Sequence, residues 1–218
     1  MVSCSNLGLL NSNTTFKFRS NLQAEKYKNR PIYNSDCEFV DTMSVIGLDF
    51  GNNTLLIAQT TKGGVDLILN DSSNRQTATF VSMQNKQRFF GDAAASMARS
   101  NYANTVSLMK LLVGRQYSDA DVKSLLQSMP FVTSNIQSTG GVGINLTYDD
   151  KSIVVSAEHI FAMMLVKAKE IASAANSNGA VGDAVLAVPD WFTDTQRVAI
   201  LAACEVASFH CLKVSHSC

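Results

Sequence analysis

From Met43 onward the chain alternates between short apolar runs and polar, turn-forming clusters. Val45, Ile46 and Leu48 make one run and residues 55–58 the next, with Gly51-Asn52-Asn53 between them, which predicts strand, tight turn, strand. Residues 65–69, entered through Gly63-Gly64, add a third strand of an antiparallel meander, and residues 70–75 are a turn-rich exit. Residues 80–83 and 88–90 read as short strands around Asn85-Lys86, and Gly91-Asp92 then opens a helix over 93–99. Over 105–113, Val106, Met109, Leu112 and Val113 fall on one helical face, which predicts a helix with Lys110 near its end and Gly114 just beyond. Residues 122–129 give a weaker helix, 140–143 a loop, and the alternation of Ile144, Leu146 and Tyr148 an edge strand.

The pattern strengthens at Ser156, a fair N-cap with Glu158 well placed in the first turn. Ile160, Phe161, Met164, Leu165, Ala168 and Ile171 then recur at helical spacing as far as Ala175. Residues 182–188 form an apolar run closed by Pro189, the pattern of a strand buried on both faces. Thr193-Asp194-Thr195-Gln196 is a capping box opening a helix to Ala207, and residues 211–214 begin a further strand. A meander, an inserted block, then helix, strand, helix, strand is an α/β arrangement.

Candidate chemistry gathers at the first turn. Gly and Asn reach positive φ at low cost, and such a turn aims successive backbone N–H groups at one point, forming a concave anion site. Asp49 stands at its mouth, where a carboxylate holds Mg²⁺, directly or through water, beside a phosphate. The same residues also read as an ordinary hairpin in which Asp49 caps the turn, and Gly47-x-Asp49-x-Gly51 does not decide between the two.

Composition narrows the field. At 218 residues, 46% hydrophobic and 17% charged, the chain has room for one globular domain or two small ones. Its 18 basic residues balance 18 acidic ones, so charge gives no reason to propose nucleic acid or an anionic membrane as partner. No apolar run approaches the roughly 20 residues that span a bilayer. Cys4, Cys37, Cys204, Cys211 and Cys218 lack CxxC spacing, which predicts reduced thiols in a reducing compartment, with Cys204 a small core residue. His159 reads as a surface or satisfied side chain. Residues 1–42 differ from the rest: they are rich in Asn, Ser and Thr, and Lys17, Arg19, Lys26, Lys28 and Arg30 face Glu25 alone before Asp36. They read as a disordered leader, as sequence upstream of a second start at Met43, or as an organelle transit peptide. Asn13-Thr14-Thr15 fits a glycosylation sequon, without a secreted context to support it.

Several segments stand in a characteristic order. They are Ile46-Gly47-Leu48-Asp49-Phe50-Gly51-Asn52-Asn53, Asn70-Asp71-Ser72-Ser73-Asn74-Arg75, Gly91-Asp92-Ala93-Ala94, and Asn104-Thr105-Val106 running on to Lys110-Leu111-Leu112-Val113-Gly114-Arg115. The last is Ala187-Val188-Pro189-Asp190-Trp191-Phe192-Thr193-Asp194-Thr195-Gln196-Arg197. Through them residues 43–214 resemble the first lobe of the nucleotide-binding domain of the heat-shock-protein-70 superfamily. Asn52-Asn53, where the smaller chaperones carry two threonines, points to the large, 110-kilodalton exchange-factor class.

The resemblance implies an incomplete actin-like or ribonuclease-H-like ATPase lobe, an antiparallel meander extended by parallel strands, flanked by helices and carrying a small inserted α+β subdomain. Residues 43–78 and 155–214 would form the discontinuous base, 79–154 the insert, and 215–218 a divergent end. It implies that Gly51, Asn52 and Asn53 hold the β- and γ-phosphates of ATP or ADP. Asp49 belongs to the shell of Mg²⁺ and its water, and Lys110 reaches the γ-phosphate, as a positioned cation stabilises a transferring phosphoryl group. Pro189 and Arg197 match positions that relay nucleotide state to the substrate-binding half.

The sequence also departs from the family pattern. Ser215-His216-Ser217-Cys218 stands where an acidic residue and a Pro- or Thr-rich turn are called for. The second phosphate turn, the adenine pocket and the peptide-binding domain have no counterpart. Pockets normally bury most of a ligand's surface, so weak or absent ATP binding and negligible hydrolysis are expected of one lobe. An exposed sheet edge and apolar face are expected after Cys211. The function implied is that of a cytoplasmic chaperone, acting in protein folding, stress response or nucleotide exchange when complete, with heat-shock-protein-70-type chaperones or co-chaperones as partners. The alternatives are a non-enzymatic fragment that docks on chaperones without ATP, and another member of the actin and sugar-kinase clan.

Overall fold

The computed structural model describes residues 45–61, 63–176 and 181–216, all within the unit Asp41–Cys218. The leader read at 1–42 and the last two residues of the divergent end lie outside the described residues.

The chain opens with strands β1 (Val45–Phe50), β2 (Thr54–Thr61), β3 (Gly64–Leu67) and β4 (Gln76–Ala78). Strands β5 (Val81–Gln84) and β6 (Gln87–Phe90), helix α1 (Gly91–Met97) and strand β7 (Thr105–Val106) follow. Then come α2 (Ala120–Gln127), β8 (Thr133–Asn135), β9 (Val142–Tyr148) and β10 (Lys151–Ser156). The chain closes with α3 (Ala157–Ala175), β11 (Asp183–Val188), α4 (Asp194–Val206) and β12 (His210–His216).

A six-stranded sheet runs in the order β12-β11-β1-β2-β3, with β4 pairing on β2. The first strands pair antiparallel, whereas β11 joins β1 in parallel and β12 joins β11 in parallel. This is the α/β arrangement that the run of elements predicts, with the meander extended by parallel strands as the resemblance implies. Two three-stranded sheets, β6-β5-β7 and β10-β9-β8, lie between β4 and α3 in the chain.

Side chains alternate across a strand, so β1 buries Ile46, Leu48 and Phe50 and presents Val45 and Asp49 on the other face. The buried set joins Ile160, Phe161, Met164 and Leu165 of α3 and Ile200, Ala203 and Cys204 of α4 in one core. Phe50 stacks on Phe161 with ring centroids 4.1 Å apart, anchoring the end of β1 on α3. Both long helices start where their caps place them. The Ser156 hydroxyl accepts from the His159 N–H, and Thr193 and Gln196 form the reciprocal capping box.

Four expectations are corrected. Residues 105–113 are no helix: Thr105 and Val106 pair with Ser82 and Val81 of β5, and a 3₁₀ turn follows at Met109–Leu111. The apolar residues there are buried as the spacing implies, but a strand partner outweighs local periodicity. The strand through Ile144 and Tyr148 is central, because β8 and the unforeseen β10 flank it. In β11, Ala184, Leu186 and Val188 are buried and alternate with half-buried Val185 and Ala187, so one face rather than both is sealed. The first turn, described next, has no left-handed residue.

Candidate nucleotide site

The carboxyl ends of β1 and β11 lie side by side, with Asp49 opposite Ala187. The turn after Phe50 and the loop after Val188 therefore open at the same edge, the place where open α/β sheets receive ligands. Gly51 closes the turn by donating its N–H to the Thr54 carbonyl at 2.8 Å. A Cβ on Gly51 would sit 2.7 Å from that oxygen, so close approach, and not positive φ, requires glycine here. Fully buried Thr79 fixes the other side: its hydroxyl donates to the Asn52 carbonyl at 2.8 Å and its N–H to the Asn53 carbonyl at 2.9 Å. The turn's carbonyls are drawn inward, and the N–H groups of Asn52 and Asn53 have no acceptor among the described residues.

Lys110 comes from the segment between β7 and α2. Leu108 adopts a left-handed φ of 55° and turns the chain into the 3₁₀ segment, where Met109, Leu112 and Val113 are sealed in the core. Lys110 between them is 7% exposed. Burial lowers its pKa from the ordinary 10.5, and the Asp49 carboxylate opposes that shift, so the two side chains share one electrostatic neighbourhood.

The Lys110 segment is clamped at its far end. The Gly114 N–H donates to Glu158 Oε1 of α3 at 3.0 Å. Gly114 also has a φ of 69°, and a Cβ there would lie 2.7 Å from the Gln196 Cα of α4. Gln196 is itself buried, and its Nε2 has no partner among the described residues.

Pro189 and Arg197 meet at one corner. The Phe192 N–H donates to the Pro189 carbonyl at 3.2 Å, and Arg197 Nε donates to the Phe192 carbonyl at 3.3 Å. Arg197 Nη2 also lies 3.4 Å from His216 Nδ1 at the end of β12. Asp49, the Gly51–Asn53 turn and Pro189 thus lie at the carboxyl ends of β1 and β11, and Lys110 lies within electrostatic reach of Asp49. Sequence reasoning misses Thr79, Leu108 and Glu158, which position these residues; only the first-turn charge of Glu158 left a trace in the sequence.

The donor set fits a phosphate and its cation. Free backbone N–H groups suit anionic oxygens, and the buried lysine gains from any added negative charge. Among the described residues no cluster of three or more His, Cys, Asp and Glu side chains could cage a metal. Asp49 alone matches the way Mg²⁺ binds, through one carboxylate with waters and phosphate oxygens completing the shell.

A family model described as Hsp70 protein matches residues 45–216. The chain is 39% identical over 174 residues to heat shock 70 kDa protein 16 of Arabidopsis thaliana, covering 80% of this chain and 22% of that protein. It is 37% identical over 172 residues to the 97 kDa heat shock protein of Mesocentrotus franciscanus, covering 79% and 19%. With heat shock protein hsp88 of Neurospora crassa it shares 39% over 173 residues, covering 79% and 24%. The chain spans about a fifth of the length of these curated relatives.

Proposed function

The chain belongs to the Hsp70 family, and from that premise we propose that residues 45–216 are the phosphate-side wall of a chaperone nucleotide site, within an actin-like lobe. The similarity to the 97 kDa and hsp88 proteins fits the large class. In this reading the Asn52 and Asn53 N–H groups receive the β- and γ-phosphates of ATP or ADP, with Gly51 allowing the tight approach. Asp49 holds Mg²⁺ through its water shell. Lys110 faces the γ-phosphate and is held there by the Gly114–Glu158 hydrogen bond. Bound Mg-nucleotide supplies a polyphosphate electrophile, and the chain's own residues neutralise and orient it. Pro189 and Arg197, joined through Phe192, carry the state of that wall toward β12.

The observation that carries the reading is a buried lysine paired electrostatically with a carboxylate beside unpaired turn amides. Such a lysine disfavours its own charge until an anion arrives, so phosphate binding relieves a cost built into the fold. One wall buries only part of a nucleotide, which places affinity near the millimolar range, about −4 kcal/mol. Protein folding or nucleotide exchange, in the cytoplasm and with Hsp70-type partners, is the activity this reading assigns to the longer proteins. Amide ¹H–¹⁵N spectra test it. Millimolar Mg-ATP shifts the Asn52, Asn53 and Gly114 resonances, and the reading fails if saturating nucleotide leaves them unmoved.

A second reading, docking on a chaperone partner without nucleotide, draws on the outer side of α4 and the loop before it. Trp191 in that loop and Val198 and Leu201 on the helix are 55%, 61% and 40% exposed. It predicts spectra unchanged by Mg-ATP but broadened at Val198 and Leu201 by an Hsp70-type chaperone.

A further inference from the structure

Two of the segments that stand out in the sequence, around Asn70 and around Gly91-Asp92, meet behind the first turn. Asn70 Nδ2 donates to Asp92 Oδ2 at 3.0 Å, and the Ala78 N–H donates to Asp92 Oδ1 at 3.1 Å. The Gly91 N–H donates to the Phe80 carbonyl at 3.0 Å. Thr79 lies between those two anchored residues, in the link from β4 to β5, and is fully buried. A buried hydroxyl needs a partner, and among the described residues this one bonds the Asn52 carbonyl at 2.8 Å.

A trans peptide is planar, so its carbonyl and its N–H point in opposite directions. The Asn52 carbonyl shares its peptide with the Asn53 N–H. Holding the carbonyl inward at Thr79 therefore turns that N–H outward, where it has no acceptor among the described residues. The Thr79 N–H acts on the next peptide, through the Asn53 carbonyl at 2.9 Å. Neither Asn52 nor Asn53 has a positive φ. Turning over the peptide between them gives a type II bend, which needs a positive φ at the second central residue. Asparagine enters that region more readily than most residues, so Asn53 tolerates either orientation, and Thr79 chooses between them. The flipped peptide presents a carbonyl oxygen to an incoming anion and strands the buried hydroxyl.

We propose that Thr79 is a positioning residue for phosphate, its hydroxyl latching the Asn52–Asn53 peptide with the N–H outward. This rests on the reading of the turn as a phosphate site, and it assigns that site's competence to one side chain outside the turn. Threonine suits the task because branching at Cβ stiffens χ1 and keeps the hydroxyl aimed. Asn70, Asp92 and Gly91 act behind it, fixing the backbone on both sides of Thr79.

Thr79→Val keeps the branched shape and the N–H bond to Asn53 and removes the hydroxyl alone; Thr79→Ser keeps the hydroxyl. In the full chain without nucleotide, ¹⁵N relaxation dispersion at Asn53 is flat in wild type and in Thr79→Ser. Thr79→Val, its fold checked by thermal melting, shows millisecond exchange or a displaced resonance there. The initial slope of the Gly114 shift against Mg-ATP falls about tenfold in Thr79→Val, the scale of one lost hydrogen bond to a charged group, and returns in Thr79→Ser. Wild-type Asn53 already in exchange overturns the latch without recourse to a variant. A folded Thr79→Val with an unchanged Asn53 resonance and a full slope overturns it as well. A latched Asn53 in a wild-type chain whose resonances ignore Mg-ATP instead sinks the phosphate reading, and with it this role for Thr79.

Discussion

The Asp49 carboxylate supports the charge of Lys110 against the burial that Lys110 itself suffers. The two residues belong to separate parts of the chain, one on the first strand of the large sheet and the other on the 3₁₀ turn after β7. Their relationship therefore reports on the packing of that turn against the sheet, and it makes stability depend on pH. Lowering a lysine's folded pKa means that the native state binds the proton less well than the unfolded chain. The resulting cost is full below the folded pKa and disappears as pH rises toward 10.5. Lys110→Met removes it, so the variant gains most stability at pH 7 and the advantage closes toward alkaline pH. Urea unfolding across pH 6 to 10 measures the difference; a gap that stays constant refutes the account.

Gly51→Ala places a methyl group 2.7 Å from the Thr54 carbonyl, so the turn must open. The expected loss is about 1–3 kcal/mol by overpacking, small enough for the chain to remain folded. The Mg-ATP-induced shifts at Asn52 and Asn53 should disappear with it.

Glu158→Ala leaves the Gly114 N–H without its acceptor at a partly buried site, costing about 1–3 kcal/mol. Glu158→Gln keeps an acceptor oxygen and recovers most of that loss. If alanine and glutamine variants melt together, the hydrogen bond does not hold the Lys110 segment.

Phe50→Ala removes the ring stacked on Phe161 at the base of the site, with an expected cost of about 3–5 kcal/mol in chemical denaturation. Thr193→Ala breaks the capping box of α4 and costs about 1 kcal/mol. The contrast separates core packing from helix capping on one chain.

What could be read from the sequence follows how local each signal is. The caps at Ser156 and at Thr193-Gln196 are short-range hydrogen bonds between neighbours in the chain, and both form as written. The opening hairpin is equally local. Residues 105–113 carry apolar spacing that suits a helix, but Thr105 and Val106 pair with β5, well earlier in the chain, which spacing alone does not disclose. The same reason hides β10, whose partner β9 was read as an edge. At the site, Asp49 and the turn were raised as candidates by residue type, and Lys110 was selected by resemblance. Thr79 and the left-handed Leu108 escaped because their importance lies in what they face, and nothing in their own neighbourhood announces it.

The parallel pairing of β1 with β11 also sets a timetable for synthesis. The middle strand of the large sheet leaves the ribosome early, yet its second neighbour begins only at Asp183. At about 5–20 residues per second, roughly ten seconds separate the two. During that interval the polar edge of β1 and the apolar face below it have no native cover. A polypeptide of a chaperone family thus passes through the kind of half-sheltered state in which nascent chains are most easily lost to aggregation.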